Sequence, residues 1–255
     1  METLKQFTRA VPPKTVLTAT AALIAVSGTA YSFTIYKRLS LTNRSLITTT
    51  ETVADSFRTS ATIRNFVNPR GHVACEDSRS ITLSAPAGSK VPSEEVLLSK
   101  FVNGFFGGRV FSLERIGLQL LNRQIVALDG LAPTPAPQHV KRIADLPSSL
   151  PSMHSIMWGA FQVTDLKVGQ DGSGSFIDFV YGSNRGQFAG CHRFTVRKLR
   201  DGAGDDEKVL VSMECITCNP TVDKPICGKF LFGFHKVYAM ILFRDAVGEV
   251  KSLLG

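Results

Sequence analysis

The chain has 255 residues, a net charge of +8, 44% hydrophobic residues and seventeen Phe. That length holds one substantial domain with extensions, and so apolar a composition excludes a wholly disordered chain. The basic residues are scattered and do not interleave with aromatics, which excludes a nucleic-acid-binding pattern and so a nucleic-acid partner. The five cysteines are odd in number, and the folded part reads as a reducing-compartment protein with buried thiols.

Residues 1–15 form a basic segment carrying Lys5, Arg9 and Lys14. Val16–Tyr36 has no Asp, Glu, Lys or Arg. Its length of about 20 residues matches a bilayer crossing at a helical rise of about 1.5 Å per residue, so an N-terminal transmembrane helix is expected. Tyr31 and Tyr36 suit the membrane interface, and Lys37-Arg38 close the run. A cleaved signal peptide and a mitochondrial presequence are the competing readings. Basic residues on the two sides balance, so orientation is open, and the membrane is either the endoplasmic reticulum or a mitochondrial one. Asn43-Arg44-Ser45 is a glycosylation sequon very close to the span.

Residues 37–67 read as an exposed stalk, rich in Thr and Ser from Leu46 to Ser60. A globular domain is expected over 68–255. His72–Cys75 and Ser80–Leu83 read as short strands with polar turns between. Ser93 caps a helix that ends at Asn103-Gly104, followed by Phe105-Phe106-Gly107-Gly108, a Phe-plugged corner or a pocket wall. A second helix, Leu113–Asn122, turns Ile116, Leu120 and Leu121 inward, and Glu114 and Arg115 read as an exposed or a buried polar pair. Residues 130–151 form a Pro-rich loop.

From Ile156 the apolar period becomes two. Four runs through Cys218 read as an antiparallel meander with Ile177, Phe179 and Tyr181, then His192, Phe194 and Val196, then Val209, Val211, Met213 and Cys215 on one face. Gly228–Leu254 is a long helix with an apolar arc broader than one face. The fold class is therefore α+β: an antiparallel β-meander packed against a long C-terminal helix, with an N-terminal transmembrane helix.

No P-loop, dinucleotide fingerprint, nucleophile elbow or zinc-protease motif occurs, so no cofactor is expected. Cys215 and Cys218, with Cys227, have the look of a metal knuckle. In a strand, however, their odd spacing sends the two thiols to opposite faces, and no metal site is expected. His192 is a candidate general base, with Glu214 or Tyr181 on adjacent strands; the plainer reading is a hydrogen-bonded structural histidine.

Phe179-Val-Tyr-Gly182, then Phe188-Ala-Gly-Cys191-His-Arg-Phe194, Val209–Ile216 and the terminal helix resemble an uncharacterised helix-and-sheet family of bacteria and plants. Ser183 and Cys191-His192 depart from that family's pattern. The order of elements also resembles START-like helix-grip folds, and the whole chain resembles fungal single-span membrane proteins of unknown function. The resemblance implies a sheet wrapped on a helix around an apolar cavity, and a context in which some such proteins accompany secondary-metabolite pathways. Three functions are carried forward. The first is a membrane-anchored binder of an apolar ligand, a lipid or a metabolite intermediate, lined by Trp158, Phe179, Tyr181, Phe194, Met213, Phe234 and Tyr238. The second is an accessory cyclase, isomerase or hydrolase using His192. The third is an assembly factor of a membrane complex.

Overall fold

The computed structural model describes residues 13–86, 88–131, 138–169, 174–199, 207–226 and 229–255; at 13–21, 23, 24 and 229–232 it describes the backbone alone. The fold is α+β. Five α-helices are described: α1 (Pro13–Leu39), α2 (Asp55–Arg58), α3 (Glu94–Gly107), α4 (Ser112–Leu121) and α5 (Lys229–Leu254). The strands are β1 (Thr48–Thr50), β2 (Ala74–Ser84), β3 (His139–Val140), β4 (Ile156–Met157), β5 (Phe161–Lys167), β6 (Ser175–Gly182), β7 (Ala189–Leu199) and β8 (Lys208–Cys218). They form one sheet in the order β1-β2-β8-β7-β6-β5-β4-β3, antiparallel except for β3 beside β4.

The expected meander is present as β5 to β8, and β2 adds to it beyond β8. Ala74–Ser84 is one strand of eleven residues, where two short strands and a polar turn were expected. Its centre is polar because Asp77 and Arg79 share a face and pair with each other at 2.6 Å, both buried. The run from Ile156 to Val163 is broken, since Trp158 and Gly159 take left-handed φ values of 49° and 69° and turn β4 back onto β5.

One face of the sheet carries the large core, with Ile177, Phe179, Phe194, Val196, Val209 and Met213 under helices. The central cover is α3, which lies over β6 and β7; α5 packs along α3 and against β2. The terminal helix expected to close the sheet thus shares the cover with α3. The two helices approach closely at Gly104, where any Cβ would strike the Ala246 backbone at 2.8 Å. Ser93 accepts the Val96 N–H and caps α3 as expected, but the helix runs on through Phe105 and Phe106 to Gly107.

The opposite face is covered by the Val53–Val67 part of residues 37–67, which were expected as a stalk. β1 pairs with β2, and Phe57, Ile63 and Val67 are buried against Val180, Ala189, Cys191 and Ile216. Burying side chains of this size is worth roughly 1.5–3 kcal/mol each, enough to hold a Thr- and Ser-rich stretch on the sheet. Beneath it, Arg193 grips Asp178 through two bonds of 2.7 and 2.8 Å and lies over the Phe57 and Phe176 rings.

α4 is turned over relative to expectation. Leu113, Ile116, Leu120 and Leu121 are exposed, Leu120 at 81%, while Arg115 is buried. The Arg115 guanidinium donates to the Phe106 and Gly108 carbonyls at the end of α3. Satisfying those terminal carbonyls sets the helix rotation.

Val16–Tyr36 lies within α1, and the side chains of its N-terminal part fall outside the described residues. Among the described residues no helix is long and apolar enough to cross a membrane. The C-terminal part of α1 docks on the domain. Ile35 and Leu39 pack on the core, Arg38 reaches Asp245 at 3.0 Å and Glu249 at 2.5 Å, and the Tyr31 hydroxyl donates to the Arg109 carbonyl at 2.8 Å.

Candidate functional site

A cavity of about 700 Å³ lies between the sheet face and the helices. Its floor is built by strand register. Asp77, Cys215 and His192 occupy one row across β2, β8 and β7, and Thr217, Gly190 and Tyr181 the next across β8, β7 and β6. Gly190 leaves the space that the Tyr181 ring fills. Glu114 and Leu118 enter from α4, Tyr238, Ala239 and Leu242 from α5, and Phe105 from α3. Phe188 and Phe234 line it while remaining exposed at 49% and 65%, which places them at its mouth.

The wall is mostly apolar, and its polar groups largely satisfy one another. The Tyr238 hydroxyl donates to Glu114 at 2.9 Å. The Tyr181 hydroxyl shares a hydrogen bond of 2.6 Å with Thr217 and lies 3.2 Å from Cys215 Sγ. Arg79, already paired with Asp77, also donates to the Lys236 carbonyl. Burial pushes the Glu114 carboxyl up, against the pull of the Tyr238 hydroxyl. It pushes the Tyr181 and Tyr238 phenols up as well.

His192 is an exception, as is the buried Arg79 Nε, which has no partner among the described residues. The His192 Nδ1 is buried with no hydrogen-bond partner among the described residues, and the His192 ring lies 4.8 Å from that of Tyr181. Burial lowers its pKa to about 4, so the imidazole is neutral at pH 7. An unsatisfied buried polar atom costs about 1–3 kcal/mol, a reason to look for a partner beyond the described residues.

Tyr181, Met213, Phe234 and Tyr238 line the cavity together with His192. Trp158, Phe179 and Phe194 do not: they pack around Phe106 in the core below. Glu214 is no partner for His192, because it faces the other side of the sheet and accepts the Ala54 N–H at 2.6 Å. Asn43 uses its side chain to accept the Ser45 N–H at the start of a short 3-10 turn. Sequence reasoning missed Asp77 and the mouth residue Phe188. The signal for Asp77 was an acid and a base two residues apart in a strand, hence on one face.

Cys215 faces the cavity, while Cys218 faces the second layer and donates to the Val67 carbonyl. Cys227 lies outside the described residues. Among the described residues no group of three His, Cys, Asp or Glu side chains is placed to hold a metal ion.

Compared with known proteins, the chain matches no family model, no curated protein and no solved structure.

Proposed function

We propose that this chain is a membrane-tethered α+β domain that holds one apolar small molecule, a lipid or a metabolite intermediate, between its sheet and the helices α4 and α5. The observation that carries the reading is the cavity: about 700 Å³, apolar-walled, with few polar groups and a mouth framed by Phe188 and Phe234. Binding sites for small apolar molecules have this size and make-up.

The tether is Val16–Tyr36. A run of 21 residues at a rise of about 1.5 Å spans about 30 Å of hydrocarbon only if its last turns also sit at or near the membrane. Those turns carry Tyr31, bonded to the Arg109 carbonyl and to Ser112 at the start of α4. The exposed Leu113 and Ile116 of α4, with Phe33 of α1, then meet the bilayer surface. The reading of His192 as a general base is weaker, because an imidazole held near pKa 4 takes a proton poorly at neutral pH.

The test is displacement of a fluorescent apolar probe from the full chain in lipid nanodiscs. Ala239 lines the cavity from α5 and is buried. Ala239→Trp fills that space, and it is expected to abolish probe binding while the helical circular dichroism stays unchanged. Undiminished binding in a folded Ala239→Trp protein would overturn the assignment of the cavity as the site.

A further inference from the structure

The polar groups around the cavity say which end-group its ligand carries. They are Cys75 and Asp77 from β2, Tyr181 from β6, Ser183 and Gln187 from the turn after it, His192 from β7, Cys215 and Thr217 from β8, Glu114 from α4, and His235 and Tyr238 from α5. Among the described lining residues there is no Lys or Arg. Arg79, on the strand that carries Asp77, gives its two terminal nitrogens to Asp77 at 2.6 Å and to the Lys236 carbonyl, and its Nε is buried with no partner among the described residues. A ligand carboxylate or phosphate would therefore enter a low-dielectric space holding two carboxyl groups, with no cation among the described lining residues and with Arg79 neutralised by Asp77.

His192 is placed to receive something else. It lies more than nine-tenths buried in the floor row beside Cys215, and its Nδ1 has no partner among the described residues. A neutral imidazole offers one donor and one acceptor nitrogen, which suits a hydroxyl, able to give and take, or a carbonyl, able to take. The Tyr181 hydroxyl is already bonded to Thr217, and that of Tyr238 to Glu114.

We infer that the ligand is a long or polycyclic apolar molecule whose polar end is an uncharged hydroxyl or carbonyl, seated against the His192 imidazole at the cavity floor. This rests on the reading of the cavity as an apolar-ligand site and adds the chemistry of the ligand's head. The neutrality of His192, held by burial, fits a head-group that is itself uncharged.

The experiment is competition at neutral pH on the full chain in nanodiscs, with a fluorescent apolar probe bound and empty nanodiscs correcting for partition into lipid. The competitors share one chain length: hexadecane, hexadecanol, hexadecanoate and hexadecylamine. Hexadecanol is expected to displace the probe at about tenfold lower concentration than hexadecanoate or hexadecylamine, the worth of one buried hydrogen bond and an avoided buried charge. His192→Leu should raise the concentration of hexadecanol needed by about tenfold and leave hexadecane unchanged. Glu114→Gln should narrow the gap between acid and alcohol.

Acid displacing as well as alcohol from the wild-type chain would overturn the inference. Tighter binding of the amine would also overturn it and make Glu114 the recognising group. Unchanged hexadecanol affinity in a folded His192→Leu protein would do the same for His192. If that variant does not fold, the wild-type ranking decides alone. If no competitor displaces the probe, hexadecane included, the cavity reading itself fails, and the inference falls with it.

Discussion

Acidification should destabilise the protein through His192. Its pKa is about 4 in the folded chain against an ordinary value of 6.5, lowered by burial. The unfolded chain therefore binds the extra proton between these values, and stability falls as the pH drops through that window. A difference of about 2.5 units corresponds to about 3 kcal/mol in full, and to roughly 2.5 kcal/mol by pH 4.5. Glu114 works in the opposite sense, since its raised pKa lets the folded state take up a proton first. The contribution of His192 must then be read as a difference between proteins. Urea unfolding followed through the single tryptophan, Trp158, which is buried, serves as the assay. Wild type should lose about 2–3 kcal/mol more than His192→Leu between pH 7.5 and 4.5. Equal losses in the two proteins, or an imidazole NMR titration centred near 6.5, would refute the reasoning.

Asp178→Asn leaves the Arg193 guanidinium buried without its anion and should cost about 3–5 kcal/mol in urea, while replacing both residues by Leu and Met should recover most of that. Full destabilisation in the double variant would contradict this. Gly190→Ala places a Cβ well inside contact distance of the Tyr181 ring. It should lower stability by about 1–3 kcal/mol and weaken probe binding, because the displaced ring moves into the cavity; unaltered binding would count against Tyr181 as part of the wall. Arg38→Ala leaves the buried Asp245 with only the Val110 N–H among the described residues and should cost about 1.5–3 kcal/mol. Faster hydrogen exchange should then appear from Tyr31 to Leu39, and unchanged exchange there would mean that α1 is held by other contacts.

The parts of the fold legible in the sequence were those where one side of an element is apolar and the period is unbroken. β6, β7 and β8 each carry an unbroken apolar row at every second residue, so their cavity-side residues could be read directly. β2 could not, because Glu76-Asp77-Ser78-Arg79 looks like a turn until the pairing of Asp77 with Arg79 is seen. Periodicity gives a helix stripe but no direction, and α4 shows the consequence: its apolar stripe points outward because Arg115 caps α3. Phe57, Ile63 and Val67 were hidden by their Thr- and Ser-rich surroundings, and only the second face of the sheet gives them a partner. At the site, side-chain direction placed His192, Tyr181 and Met213 correctly on one face. Depth could not be read, so Phe179 and Phe194 were counted as lining when they lie beneath it.

The most direct measurement is native mass spectrometry of the full chain, released from its own membrane in nanodiscs, followed by organic extraction. The expected result is one apolar molecule per chain, bearing an uncharged polar end and lost in Ala239→Trp. A folded chain that carries nothing and takes up no member of a panel of alcohols, ketones, sterols and fatty acids would contradict the proposal.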